Sequence, residues 1–143
     1  MRKRYGFLMS KVVFTNGCFD IIHRGHVEYL EDAKALGDIL IIGLNSDESV
    51  SGLKGPNRPI NNEEDRARVL LGLKSVDRVI IFKEDTPLDL IKLIKPDVLV
   101  KGGDWEVEDI AGHEFVLGNG GEVLTIPFRI NYSTTDIIKK IRN

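Results

Sequence analysis

Short apolar runs alternate with amphipathic stretches along this chain, and each change of period marks a predicted element. Residues 11–15 form a short apolar run that ends at Asn16-Gly17, which predicts a buried strand. Residues 25–36 carry Val27, Leu30 and Ala33 on one helical face, and Gly37 stops the helix. Residues 38–44 are almost continuously apolar, as a strand buried on both faces requires. Residues 46–53 predict a short helix. Residues 54–61 hold Gly55, two prolines and two asparagines, which predicts a loop. Asn61 with Glu64 resembles a capping box opening a helix that runs to Leu73. Residues 76–82 predict the third strand. Thr86 as N-cap and Pro87 at the first helical position open the next helix. A fourth strand is expected over 97–101, a helix over 107–117, and a fifth strand over 122–126. The last helix is expected over 133–141, with Ile137, Ile138 and Ile141 inward.

Strands that alternate with helices in this way imply a parallel sheet covered on both faces. The expected architecture is an α/β doubly wound, Rossmann-like domain with five parallel strands over residues 11–143, preceded by a tail over 1–10. Open sheets of this kind bind ligands outside the C-terminal ends of their strands.

Composition narrows the function. The 143 residues are 42% hydrophobic and 29% charged, a globular balance. With 20 Lys+Arg against 22 Asp+Glu, the net charge of -2 gives no bulk attraction to nucleic acid or to an anionic membrane. Arg2, Lys3 and Arg4 read as a solvated tail without the apolar segment of a signal peptide. No apolar run approaches the ~20 residues of a membrane span. Cys18 is the single cysteine, which excludes an internal disulfide and fits a reducing, cytoplasmic setting.

The chemistry concentrates after the first strand, in Thr15-Asn16-Gly17-Cys18-Phe19-Asp20-Ile21-Ile22-His23-Arg24-Gly25-His26. His23 and His26 stand three residues apart at a helix entrance, so both imidazoles can address one point. That point lies at the positive end of the helix, where unpaired N–H groups favour phosphate. Gly25 has no side chain to hold a phosphate away from the backbone. Together these parts form a donor cluster for charge developing on a phosphoryl group. Taken alone, the pair also fits two partly exposed helix histidines. A zinc pair is the third reading, but His113 and Cys18 lack ligand-like spacing to it, so no protein-bound metal is expected. Asp20 fits either a turn cap or a partner that orients a histidine.

The stretch Gly17-x-Phe19-Asp20-x-x-His23-x-Gly25-His26 resembles the signature of the HxGH nucleotidylyltransferases. Further blocks extend the likeness over about residues 12 to 141. They are Asn45-Ser46-Asp47-Glu48, Leu53-Lys54-Gly55-Pro56, Arg58-Pro59-Ile60, Lys101-Gly102-Gly103-Asp104 and Tyr132-Ser133-Thr134-Thr135. In order and spacing they resemble the adenylyltransferases of ADP-heptose biosynthesis, whose substrate is a heptose 1-phosphate.

The resemblance implies that His23 and His26 bind nucleotide phosphates and stabilise the transition state at the α-phosphorus, with Lys54 as a third catalytic group. It places Thr15, Asn16, Gly17, Phe19, Gly25, Asn45, Ser133, Thr134 and Thr135 at the nucleotide. It places Arg58, Arg66, Lys101 and Asp104 at the sugar phosphate. It further implies ATP as substrate and a Mg²⁺ ion bound to its phosphates.

The same residues have plain readings. Ser133-x-x-Asp136 is an adequate capping box. Lys54 suits a solvated loop or a mobile charge over a triphosphate. Arg66 suits an exposed helix face as well as a substrate contact. Lys101 ends a buried strand on the ligand side, where solvation explains it less well. Trp105 suits loop packing or stacking on a base or sugar. Asn131, Trp105 and Ser51-Gly52 depart from the pattern of that branch, and Asn131 tolerates the left-handed turn that glycine would take there.

The expected reaction is therefore ATP plus a sugar 1-phosphate giving an ADP-sugar and pyrophosphate. A chain of this length leaves no room for a sugar kinase, so a separate one is expected upstream, and a homo-oligomer is possible. The rivals are a glycerol 3-phosphate cytidylyltransferase, an FMN adenylyltransferase and a non-catalytic nucleotide-binding regulator. A nicotinamide-dependent oxidoreductase is disfavoured because the first turn lacks Gly-x-Gly-x-x-Gly.

Overall fold

The computed structural model describes residues 10–129 and 132–143, together with the backbone of Lys3–Arg4 and Phe7–Leu8. Those two short segments pair antiparallel with each other. The central sheet has five strands: β1 (Val12–Gly17), β2 (Ile39–Asn45), β3 (Arg78–Phe82), β4 (Val98–Gly102) and β5 (Glu122–Ile126). All four pairings are parallel, and the order is β3-β2-β1-β4-β5. The chain steps outward from β1 to β2 and β3, then returns across β1 to lay down β4 and β5. The order therefore reverses between β1 and β4, and that reversal opens the ligand crevice of a doubly wound sheet.

The helices are α1 (Arg24–Lys34), α2 (Asp47–Lys54), α3 (Glu63–Leu71), α4 (Leu88–Ile94), α5 (His113–Gly118) and α6 (Thr134–Arg142). Strand alternation divides the core in two. Val13, Leu40, Ile42, Val98 and Val100 face one side and pack with Leu30 and Ala33 of α1 and Leu70 of α3. Phe14, Ile41, Leu99 and Val123 face the other side and pack with Ile91 of α4 and Val116 of α5. A one-residue slip of β1 would exchange Val13 and Phe14 between these layers, so burial fixes the register.

An aspartate immediately precedes each of β2, β3 and β4. Asp38 accepts the Lys11 N–H at 2.7 Å, Asp77 the Leu40 N–H at 2.8 Å and Asp97 the Val12 N–H at 2.8 Å. These carboxylates satisfy donors at the sheet edge opposite the crevice.

Several boundaries differ from expectation for local reasons. Asn62, not Asn61, caps α3, its Oδ1 accepting the Asp65 N–H at 2.8 Å. Asn61 is drawn away by Asp20. The helix expected over 107–117 is broken into a 3₁₀ turn (Val107–Asp109) and α5, because Gly112 takes a left-handed φ of 90°. A Cβ there would meet Ile91 Cδ1 at 2.8 Å. Ile141, expected inward, is 74% exposed, while Ile138 is the buried residue of α6.

Candidate active site

β1 delivers the chain to the crevice, and the turn after it is tightly built. Gly17 is in contact with the Phe19 ring, whose Cε2 would lie 2.9 Å from a Cβ at residue 17. Phe19 is buried and adopts φ 45°, a left-handed conformation uncommon for an aromatic residue. His23 then takes extended backbone angles and caps α1. Its Nδ1 accepts the His26 N–H at 3.4 Å, and His26 Nδ1 accepts the His23 N–H at 3.3 Å. The two rings stack with centroids 3.8 Å apart and planes 23° from parallel. Phe19 lies against His26 with ring centroids 5.3 Å apart. Burial, and then the charge of His23, push the His26 pKa down to about 4. Burial also lowers that of His23. Both rings are thus held neutral at pH 7.

The N-terminus of α6 meets this entrance. Ser133 caps α6, its Oγ accepting the Asp136 N–H at 3.0 Å. Thr134 Oγ1 donates to the Ile21 carbonyl at 3.0 Å, which ties the two helix entrances together. Tyr132 stacks on His23 with centroids 6.3 Å apart, and Thr135 is exposed. Gly25 is buried between these parts, and a Cβ on it would lie 2.9 Å from both His23 Cε1 and Tyr132 Cβ. Its missing side chain is thus required for helix contact as well as for open backbone. Asn131 lies outside the described residues.

β4 forms the other wall. Lys101 is half-buried near its end, with Nζ 4.9 Å from the centroid of the Trp105 ring, and burial lowers its pKa. Trp105 therefore packs against Lys101. Asp104 is exposed. The Phe128 ring lies across Gly102 and Gly103, at 2.9 and 2.8 Å from where their Cβ atoms would be, yet Phe128 is 72% exposed. The sequence reading did not single out Phe128, although two adjacent glycines at a strand end signal close approach of another group.

Four residues expected at the ligands also make hydrogen bonds within the protein. Thr15 is fully buried and shares a 2.6 Å hydrogen bond with the Tyr29 hydroxyl. Asn45 is buried and donates through Nδ2 to Ser49 Oγ at 3.0 Å. Arg58 donates through Nε to Asp20 at 2.9 Å. Arg66, expected on an open helix face, is 1% exposed. It donates to the carbonyls of Asn61, Cys18 and Asn45 at 2.8–2.9 Å and to the Asp47 carboxylate at 2.8 Å. A guanidinium with that many protein acceptors crosslinks the ends of β1 and β2.

Asp20 has a comparable role. It accepts from Arg58, Ile60 N–H and Asn61 N–H, and so fastens the loop after α2 beneath the turn after β1. Burial would raise its pKa, but the backbone N–H bonds and the Arg58 guanidinium outweigh burial and hold it below the usual carboxylate range. Lys54, expected in the loop, is instead the last residue of α2 and is exposed. Gly55 at φ 104° ends the helix beside it. Asn16 and Gly17 remain half-buried at the end of β1.

Burial raises the Cys18 thiol pKa, although Lys54, Arg66 and Arg58 act to lower it. Among the described residues, no three His, Cys, Asp or Glu side chains gather as metal ligands. A cavity of about 530 Å³ lies beside Ser46, Phe82 and Leu93 at the ends of β2 and β3, away from the histidines.

Residues 14–140 match the family model described as cytidylyltransferase-like. The chain belongs to that family. It is a nucleotidyltransferase of the HxGH superfamily, as His23, Gly25 and His26 imply. It is 56% identical over 135 residues to the bifunctional protein HldE of Aliarcobacter butzleri, covering 94% of this chain and 28% of that protein. It is 58% identical over 133 residues to the HldE protein of Hahella chejuensis, covering 93% of this chain and again 28% of the relative. The chain therefore spans little more than a quarter of the length of these relatives. The solved lipopolysaccharide core biosynthesis protein of Thermoplasma volcanium superposes with a TM-score of 0.66 at 29% identity, covering 87% of this chain and all of that one. No helix among the described residues is long and apolar enough to cross a membrane.

Proposed function

We propose that this nucleotidyltransferase moves the adenylyl group of ATP onto a heptose 1-phosphate and releases pyrophosphate, as a step toward lipopolysaccharide. The observation that carries the reading is the meeting of two capped helix N-termini at the sheet's reversal point. His23 and His26 stand there, and among the described residues their Nε2 atoms have no hydrogen-bond partner.

A phosphate oxygen of the sugar attacks the α-phosphorus in line. The bond from that phosphorus to the oxygen bridging to the β-phosphate breaks, and the electron pair leaves with pyrophosphate. The chain supplies no nucleophile, in keeping with a Cys18 thiol held protonated by burial. His23 and His26 donate hydrogen bonds to the phosphoryl oxygens as charge builds there. The N–H groups at the start of α6 and the side chains of Ser133, Thr134 and Thr135 line the triphosphate. Lys101 holds the sugar's phosphate, Asp104 accepts from its hydroxyls, and Lys54 reaches over the polyphosphate from the end of α2. Apart from Asp104 the proposed groups are donors and cations, and Asp20 is already taken by three donors, so the set fits phosphate oxygens and a metal would be held through them. Mg²⁺ on the triphosphate supplies charge neutralisation between its oxygens.

The block match through Lys101-Gly102-Gly103-Asp104 and Tyr132-Ser133-Thr134-Thr135, together with the HldE relatives, supports heptose over glycerol phosphate. The 1-phosphate must come from a sugar kinase activity. The test supplies ATP and CTP together with heptose 1-phosphate and glycerol 3-phosphate, and identifies the product by mass. ADP-heptose is expected to dominate by roughly a hundredfold, since a site built for more hydroxyls leaves polar groups unpaired with glycerol phosphate. A dominant CDP-glycerol product would overturn the substrate assignment.

A further inference from the structure

The first turn of α1 is closed by two imidazoles in place of the hydroxyl and carboxylate of an ordinary capping box. In each ring Nδ1 receives a backbone N–H, at 3.3 and 3.4 Å. A nitrogen that accepts carries no proton, so a neutral ring in this arrangement keeps its proton on Nε2. The 3.8 Å stacking sets the rings side by side, where two cations would repel. The surrounding groups do not oppose this. Arg24, on α1, is paired with Glu28 and lies over Tyr132. Tyr132, from the segment before α6, stacks on His23, and Phe19, from the turn after β1, packs on His26. Among the described residues no carboxylate pairs with either ring, so nothing there holds an extra proton on it.

Building on the adenylyl-transfer reading, we propose that this reciprocal cap fixes His23 and His26 as neutral Nε2–H tautomers, so that the pair acts on phosphoryl oxygens as two oriented donors and not as cations. The first turn of α1 and the donor pair are then one unit. A proton added to either ring must go to Nδ1, which turns an acceptor into a donor aimed at another donor. Acid therefore opens the cap and misaligns the donors in the same event. Burial of His26, with a pKa near 4, keeps that event below physiological pH.

The test uses the whole chain, uniformly ¹⁵N-labelled and free of nucleotide. Long-range proton–nitrogen spectra read the protonation of each ring nitrogen at pH 7. The three histidines are assigned from the single variants His23→Gln, His26→Gln and His113→Gln. His23 and His26 are expected to show a protonated Nε2 and a bare Nδ1. His113 is the internal contrast: its Nδ1 lies 2.9 Å from the Ile110 carbonyl, so that nitrogen must carry the proton. On acidification, exchange protection of the His23 and His26 amides should be lost in step with ring protonation. If a glutamine variant fails to fold, His23→Ser keeps a side-chain cap and serves for assignment. Either site ring protonated on Nδ1 at pH 7, or amide protection indifferent to ring titration, would overturn the proposal. Neither readout involves a substrate, so failure of the adenylyl-transfer reading would show separately, in the product assay.

Discussion

Two polar clusters share the ligand edge of the sheet, and they differ in what is left unspent. Around Arg66 and Asp20, donors meet acceptors within the protein: one guanidinium serves three carbonyls and a carboxylate, and one carboxylate serves three donors. Around His23 and His26 the protein uses one nitrogen of each ring to close a helix, and among the described residues the other has no partner. Both clusters carry charge or polarity that a sequence reader would assign to substrate. The hydrogen bonds within the first cluster make it a crosslink between loops, whereas the proposed adenylyl transfer draws on the capacity left over in the second.

The contrast breaks most sharply at Arg66. Arg66→Leu leaves three carbonyls and the Asp47 carboxylate without their partner, and should lower unfolding free energy by about 3–5 kcal/mol. Urea denaturation measures this. A stable variant with a raised KM for sugar phosphate would return Arg66 to the ligands.

His26→Ala should do the opposite, reducing kcat by about 10²–10³ with the fold retained. Steady-state turnover alongside circular dichroism separates the two outcomes, and near-normal turnover would remove the pair from the chemistry.

A subtler probe is acid. The folded pKa of His26 lies near 4 against an unfolded value of 6.5, so below 6.5 the unfolded chain binds a proton that the folded one refuses. Stability is therefore complete above pH 6.5 and declines until about pH 4, by roughly 3 kcal/mol for this group. Urea midpoints at pH 7 and 4.5 should diverge more in the natural protein than in His26→Gln. Equal divergence in both would place the titration elsewhere.

Much of the fold was legible because period and punctuation agreed. The strand at Glu122–Ile126 falls where the sequence places it, as a short run after Gly118-Asn119-Gly120. The five-stranded parallel sheet followed from strand–helix alternation, whereas its strand order came from the structure. The helix around 107–117 was misread because its apolar period continues across a break imposed by Ile91 from another element. The juxtaposition of His23 and His26 at the entrance of α1 was legible, since His-x-Gly-His needs only local geometry. Arg66 was not, because a helix arginine looks the same in sequence whether it faces water or carbonyls from segments 5, 21 and 48 residues away. Phe128 was missed for a similar reason: its partners are glycines, which offer no side-chain pattern.

The placement of β1 bears on how the molecule assembles. β1 can pair with β2 as soon as residue 45 is available, but its other edge stays open until β4 arrives. The Asp97 carboxylate that caps Val12 is 85 positions distant, and the Thr134–Ile21 bond that joins the two helix entrances spans 113. Such long loops must close before these contacts contribute, which slows folding and leaves an apolar strand edge unguarded meanwhile. The join between the two helix entrances thus rests on the longest loop closure of the contacts named here, whereas β1, β2 and β3 pair through shorter ones.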